Sequence, residues 1–429
     1  MTKILKIEGT CKQISGNGGL FLYNRLYSKL GVGSMILDCI PKNKISPKVT
    51  AAEKYKALVM GFISGAECLD DMDELSLDLG FGSVSKTSAS NTYGEFLRSF
   101  DRVKIKELNH RLIDLSLKLR RKSHPDSKRF ILDIDSTSHV QYGQKIEGLG
   151  FNYKNEWGLD SIQAFDEYGY QYWMMVRNGG TYSSNGSSEI IHEVFKKVDK
   201  KIKRYARGDS AFCNGEFFHA CFNADVKFVV AMKNNMLSPV LGRVANWRKS
   251  KDIKTYDGRV CEIGSTVYYP DSAPCALKVI VTRAKKKDSQ GTLFKDNIYE
   301  YFAFVTNIQE HEMRSEKVIE FYRKRGNAEN FIREQKNGFD LKHFPCQNLI
   351  ANITYGIIAA FAYSLIRYTA FLKSKTRPSF SKKLRIQLVK LPCEVITHAG
   401  YVTFRFTNHI YEEVMRLLQI INMQFQSGL

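Results

Sequence analysis

The sequence has no Cys-x-x-Cys pair. Its nine cysteines stand at 11, 39, 68, 213, 221, 261, 275, 346 and 393, a scatter that argues against a zinc ribbon. The odd, irregular set fits reduced thiols rather than a disulfide framework. The opening residues, Met1 to Lys6, lack the apolar core of a signal peptide. A bilayer-spanning run is missing too. The most apolar window, Leu349 to Leu372, is interrupted by Asn352 and Arg367, and the stretch Ile353–Ile366 between them is too short. A buried core helix is the expectation there. There is no internal repeat, and no basic amphipathic segment suited to a membrane anchor. Acidic residues are scarce beside basic ones: 44 Asp plus Glu against 64 Lys plus Arg, a formal charge of +20. That imbalance points to a polyanionic partner, most simply nucleic acid, because neutralised phosphates release counterions.

What is present is ordinary globular sequence. A hydrophobic content of 43% over 429 residues suffices for two or three domains with real cores. Residues 1–15 are polar and expected to be poorly ordered. From Gly18 to Leu119 the apolar spacing is helical: Leu20, Tyr23, Leu26 and Leu30 recur on one face, Ala51–Ile63 repeats the pattern, and Cys68–Leu75 reads as a short acidic helix. Ser90 is a candidate N-cap for the next helix. Helix, turn and helix here suit either a DNA-binding helix-turn-helix-like unit or plain bundle packing.

The basic, proline-containing stretch Arg120–Arg129 breaks the pattern and marks a domain boundary. Beyond it, strands are expected at Phe130–Asp135, Ser161–Phe165, Tyr170–Val176, Lys203–Arg207 and Lys227–Met232, with helices at Ser187–Lys201 and Gly215–Asn223. The order β-β-β-α-β-α-β is that of an RNase H-like core. Between 233 and 300 the pattern turns β-rich, with strands expected at Tyr256–Val260, Ser265–Tyr269, Leu277–Arg283 and Asn297–Thr306 and a basic hairpin tip at 285–291. Glu394–Arg405 reads as partly extended within a helical C-terminal part. The fold class is therefore α/β: an RNase H-like core with a β-rich insertion, preceded by an all-α N-terminal domain. The expected divisions are 1–122, 123–372 and 373–429.

The most informative spacing joins Tyr322, Arg325, Glu329 and Lys336. At about 100° per residue, one continuous helix would hold all four within roughly 60°, with Arg333 about 20° to the other side of Tyr322. One carboxylate among several cations suits a site that holds a metal ion and a polyanion together. A solvated, salt-bridged helix face has the same pattern.

The segment from Tyr322 to Lys336 resembles the Tyr-Arg-Glu-Lys signature of bacterial insertion-sequence transposases, in particular the group-1 DDE transposases. Leu132–Thr137 (Leu-Asp-Ile-Asp-Ser-Thr) resembles that family's first acidic motif and Arg207–Phe212 (Arg-Gly-Asp-Ser-Ala-Phe) its second, in the family's order. The resemblance runs from about Gly18 to the C-terminus. It implies a catalytic triad of Asp135, Asp209 and Glu329 that binds Mg²⁺, with Mn²⁺ able to substitute. It further implies that Tyr322, Arg325 and Lys336 contact DNA phosphates, and Arg333, close to them on the helical projection, is a fourth candidate contact. Hard carboxylate oxygens from separate elements are what two-metal phosphoryl transfer needs, and Arg grips phosphate with two donors where Lys offers a point charge.

Some assignments stay open at this level. Asp133 shares a strand face with Asp135 and competes with it as ligand. Asp209 also suits an N-cap, and Tyr322 also suits a core position. Trp247, Tyr268 and Tyr269 suit either core packing or stacking on an unpaired base, and Gly326 suits close approach of a strand or a DNA backbone. His124 and His139 have no partner at metal-ligand spacing.

The resemblance implies a DNA transposase, with endonuclease and strand-transfer activities, that binds terminal inverted repeats and joins 3′ ends to target DNA. It would act as a homodimer on DNA, without a membrane, in the bacterial cytoplasm at the nucleoid. Two other readings remain: a nuclease of the same fold that cannot join ends, and a catalytically silent DNA-binding descendant.

Overall fold

The computed structural model describes residues 7–42, 47–152, 154–286 and 298–426. Their contacts form two compact units, one of residues 1–111 with 335–429 and one of residues 112–334. This partition differs from the three-part division expected from sequence. Two unbroken helices, Arg102–Ser123 and Gly326–Gly338, carry the chain from one unit to the other.

The unit of residues 112–334 is built on a ten-stranded mixed sheet. Its strands are β1 (Arg129–Val140), β2 (Gly150–Phe151), β3 (Trp157–Asp166), β4 (Gln171–Asn178), β5 (Lys203–Gly208), β6 (Lys227–Ala231), β7 (Arg248–Lys254), β8 (Val260–Tyr268), β9 (Leu277–Lys285) and β10 (Tyr299–Thr306). The order is β2-β3-β1-β5-β6-β10-β9-β8-β7, with β4 paired to β3. β1, β5 and β6 are parallel, with Asp133 opposite Arg207 and Gly208 opposite Val230. The other pairings are antiparallel.

Parallel neighbours need crossover connections, and two amphipathic helices supply them. Ser187–Lys197 buries Ile190, Ile191, Val194 and Phe195, and Gly215–Asn223 buries Phe217, Phe218 and Cys221. Phe195 meets Phe130 of β1 edge to face, and Phe218 stacks on Phe228 of β6 at 5.2 Å. Each such fully buried ring contributes roughly 1.5–3 kcal/mol. These contacts hold the carboxyl ends of β5 and β6 side by side.

Three local expectations are corrected. Tyr256–Val260 is a turn at Asp257-Gly258, with Gly258 at φ +86°, and the strand precedes it as β7. The turn residues outweigh the flanking β-formers there. Ser90 is not the N-cap: Ala89 holds that position, and the Ser90 amide donates to Asp73 Oδ1 at 2.9 Å, so a neighbouring helix caps this one. Ile14–Ser15 is not loose; it pairs with Cys393–Glu394 and buries Ser15. The expected hairpin tip at 285–291 lies largely outside the described residues.

The unit of residues 1–111 and 335–429 forms around the helix Leu349–Lys373, buried from Ala351 to Phe371. This helix is long and apolar enough to cross a membrane by composition, but its apolar surface is covered within the unit. Helix Ala51–Ser64 packs on it through Tyr55 against Phe361 and Phe62 against Tyr355. Thr50 and Glu53 form a capping box at that helix's start. The polar interruption Asn352 is satisfied in place: its side chain donates to the Cys346 carbonyl at 2.7 Å and accepts from the Cys346 amide at 2.9 Å. Cys393–His398 and Tyr401–Arg405 form the hairpin that the extended pattern there suggested.

Candidate active site

Asp133 and Asp135 alternate onto one face of β1, as period-two geometry requires. Their surroundings separate them. Arg207, on the neighbouring parallel strand, donates from Nε to Asp133 Oδ1 at 2.6 Å and from Nη2 to Oδ2 at 2.7 Å. Its Nη1 donates to the Phe321 carbonyl, and its guanidinium lies over the Phe321 ring at 4.8 Å. Asp133 is 0% and Arg207 1% exposed. Both Asp133 oxygens are thus committed to a closed, two-pronged pair with Arg207.

Asp135 faces a different partner. Its Oδ1 accepts from the Ser136 amide at 2.9 Å, and its Oδ2 accepts from Arg325 Nη1 at 3.1 Å. Arg325 Nη2 donates at 2.8 Å to Glu329 Oε1. One guanidinium therefore bridges two carboxylates, and Asp209 is close enough to act on both Asp135 and Arg325. Burial pushes the Asp135 carboxyl up, Arg325 pulls it back, and the charges of Asp209 and Glu329 push it up again, to about 7. Burial alone would favour neutral Arg325. The charges of Asp135, Tyr322, Glu329 and Asp209 outweigh that and hold its guanidinium above its ordinary value. Among the described residues, buried Arg325 Nε has no hydrogen-bond partner.

Tyr322 takes the core position that the sequence allowed. Its ring belongs to a cluster with Ile280, Phe304 and Val318 and meets Phe304 at 4.9 Å. The Arg325 guanidinium lies 5.9 Å from the same ring. Burial raises the Tyr322 hydroxyl, Arg325 lowers it, and Asp209 and Asp135 raise it.

The single-helix geometry expected for this segment is corrected. Helix Ser315–Arg323 ends at Lys324, and a second helix starts at Gly326. Amides of Arg325, Asn327 and Ala328 bond three residues back, tightening the chain into a turn. The angular stripe is therefore not continuous. The break nonetheless brings Tyr322, Arg325 and Glu329 together and sets Glu329 in the first turn of the new helix, where the helix dipole favours a carboxylate. Among the described residues, a Cβ on Gly326 would meet nothing within 4 Å beyond its own local chain, so none of the described strands approaches it. Arg333 is exposed, one turn beyond Glu329. Lys336, half-buried, stands on the end of this helix that is grouped with the other unit.

Asp209 follows the carboxyl end of β5. Its Oδ1 accepts from the Ala211 amide at 2.8 Å, capping the single 3₁₀ turn Ser210–Phe212. The longer helix Gly215–Asn223 is capped by Asn214 instead. The N-cap role of Asp209 is real but confined to one turn. His139 is buried against Ser161 Oγ at 2.7 Å, and His124 stacks on Tyr168. Trp247 lies 4.1 Å from the Arg283 guanidinium, while Tyr269 is exposed.

Among the described residues, no group of three His, Cys, Asp or Glu side chains is drawn together as metal ligands. The donor chemistry still fits a hard divalent cation. Asp135 and Glu329 are already gathered around a positive charge, the Arg325 guanidinium, and Asp135 is destabilised by its acidic neighbours. Sequence reasoning missed two features. Arg207 was read only as part of the second acidic motif, although a buried arginine needs a carboxylate partner and Asp133 was available. Arg325 was read as a phosphate contact or as part of a salt-bridged helix face, and its reach to Asp135 as well as Glu329 has no sequence signal.

Asp135 and Glu329 meet on Arg325, and Asp209 follows the end of the parallel strand beside β1; carboxylates from separate elements are the groups that metal-assisted phosphoryl transfer requires. The chain belongs to the transposase DDE domain group 1 family, whose model matches residues 2–424. Membership implies nuclease or transferase chemistry on DNA. No curated protein matches the chain.

Proposed function

We propose that the protein is an insertion-sequence transposase that binds the terminal inverted repeats of its element, cuts phosphodiester bonds and joins the freed 3′ ends to target DNA. The observation that carries this reading is the gathering of Asp135 and Glu329 on Arg325, with Asp209 close enough to shift both Asp135 and Arg325. Family membership and the +20 charge support it. The strand order β4-β3-β1-β5-β6, antiparallel then parallel, supports an RNase H-like core.

Asp135, Asp209 and Glu329 would hold Mg²⁺, or Mn²⁺ in its place. When bound, the metal supplies an activated water or 3′-hydroxyl and stabilises the leaving oxygen. The protein's own groups do the positioning. Arg325 offers its unpartnered Nε and, once the carboxylates turn to a cation, its two Nη groups to a phosphate. Tyr322 keeps Arg325 in place from the core side. Arg333 and Lys336 extend the cationic face along the same helix for the DNA end. Asp133 and Arg207 fix β1 against β5, which sets where Asp135 and Asp209 stand. The N-terminal helices, residues 1–122, would recognise the inverted repeats. The active species would be a homodimer on DNA, working at the bacterial nucleoid in the cytoplasm.

The test is incubation of the purified protein with duplexes carrying the ends that flank its own gene, Mg²⁺ and a target plasmid. Cleavage and joining are expected, and Asp135→Ala, Asp209→Ala and Glu329→Ala should each abolish both while sparing end binding. Cleavage without joining would assign the protein as a nuclease. Binding without cleavage would assign it as a silent DNA-binding descendant.

A further inference from the structure

A cleft borders Asp209. It has a volume of about 490 Å³ and is lined by Ser136, Thr137, Thr181, Tyr182, Asp209 and Lys233 among others. Three parallel strands explain its position. β1 carries Asp135, β5 ends at Gly208 just before Asp209, and β6 ends at Ala231 two residues before Lys233. Gly208 pairs with Val230, so Asp209 and Lys233 both follow the carboxyl ends of adjacent parallel strands. Such ends are where open α/β sheets bind ligands.

The wall opposite is a built loop. Arg177 pairs with Asp160 through Nε at 2.8 Å and donates to the carbonyls of Tyr182, Ser183 and Asn185. Asn214 Nδ2 holds Ser184 Oγ at 3.0 Å. At Gly179 a Cβ would stand 2.0 Å from the Gly158 carbonyl oxygen, so only glycine lets the loop lie this close to the sheet. The loop thereby fixes Tyr182, and the Lys233 ammonium lies 5.4 Å from that ring's centre. A cation–π contact orients a lysine without neutralising it. Asp160 is already paired with Arg177, so it does not cancel Lys233.

We propose that this cleft holds a phosphodiester of the DNA strand that lies across the scissile position from the transposon end. Lys233 supplies the charge, and the hydroxyls of Ser136, Thr137 and Thr181 supply polar contacts. The inference rests on the transposase reading above. Asp209 belongs both to this cleft and to the acidic group around Arg325, so a strand held here lies beside the reacting phosphorus. The strand there is flanking donor DNA before cleavage and target DNA before joining.

The experiment uses the full-length protein with Lys233→Ala, Lys233→Gln and Lys233→Arg. Lys200→Ala, an exposed lysine preceding the amino end of β5, controls for formal charge. One arm offers uncut duplex with flanking DNA, and the other offers pre-cut ends plus target plasmid. Binding is measured against salt, and cleavage and joining are measured with Mg²⁺. Removing one phosphate contact should lower the log–log salt slope by about one, with Lys233→Arg keeping the wild-type slope. Lys233→Gln keeps most of the side chain and serves where alanine lowers the melting temperature. A defect confined to the uncut arm assigns the cleft to flanking DNA. One confined to the pre-cut arm assigns it to target DNA, and a defect in both assigns it to each in turn. Wild-type slopes and rates for Lys233→Ala in both arms, with Asp135→Ala inactive, would overturn the cleft and leave the transposase reading intact. A wild-type protein that neither cuts nor joins would overturn both.

Discussion

Asp133 and Asp135 stand two residues apart on one strand face, each beside an arginine, yet they are built for different ends. The Asp133 pair is closed: both oxygens meet one guanidinium, and the remaining Arg207 donor is taken by a backbone carbonyl. The Asp135 arrangement is unfinished. Arg325 is divided between two acids, one of them, Glu329, has a side chain 55% exposed, and its Nε has no partner among the described residues. An arginine beside a buried carboxylate therefore does not by itself mark a site in this protein. On the proposed reading, Arg325 is set apart by its division between two acids with a third charge nearby, a crowding that a bound cation would relieve.

The widest separation between the two should come from alanine at each position. Asp135→Ala is expected to drop DNA cleavage below detection while melting at or above the wild-type temperature, since it removes a buried acid that its neighbours destabilise. Asp133→Ala strands a buried guanidinium and should cost about 3–5 kcal/mol in denaturant unfolding. The comparison breaks if Asp133→Ala folds with wild-type stability, or if Asp135→Ala is the variant that unfolds.

A smaller effect should separate charge from geometry at Arg325. Arg325→Lys keeps the cation but cannot bridge Asp135 and Glu329 with parallel donors. Cleavage should fall roughly a hundredfold, the scale of one lost charge-stabilising donor. Lys324→Ala, exposed at the turn between the two helices, removes a full charge next door and should leave the rate near wild type. Equal rates for the two variants would mean that the segment acts only as a diffuse positive field.

Much of this was legible in the sequence, and what was not has physical reasons. The apolar runs at Phe130–Ile134 and Phe228–Val230 announced buried strands, and the 3.6-residue period of Ile190, Ile191, Val194 and Phe195 announced a crossover helix. Three acids in the order of a known signature pointed to one locus, and the structure brings Asp135 and Glu329 onto Arg325, with Asp209 close enough to act on Asp135 and Arg325. The break at Lys324 was not legible. Gly326 signalled only a weak helix, and the turn is set by tertiary packing of Tyr322 and Phe321 into the sheet cluster. Which of two aspartates was structural was equally hidden, because it depends on the Arg207 side chain from a strand 74 positions away. Pairing across that distance leaves no local pattern.

The smallest expected effect concerns a third arginine cluster, in which one guanidinium again serves two acids. Arg120 lies 3.1 Å from Asp166 Oδ2 and donates to Glu167 Oε1 at 3.0 Å, with its guanidinium 5.2 Å from the Phe130 ring and 5.0 Å from that of Tyr168. Burial pushes the Glu167 carboxyl up, the charge of Asp166 adds to that, and Arg120 pulls it back, to about 7 against an ordinary 4.5. The folded protein then holds a proton on Glu167 that the unfolded chain releases. Stability from this group is full below about 4.5 and is lost as pH rises through about 7. Glu167→Gln keeps the shape without the titration. The melting temperature of the wild type minus that of Glu167→Gln should therefore decline between pH 4.5 and 7 and level off above. Two parallel melting curves across that window would show that Arg120 satisfies both acids fully. An arginine shared by two acids would then carry no residual strain here, and the contrast with Arg325 would be sharper than the present geometry makes it.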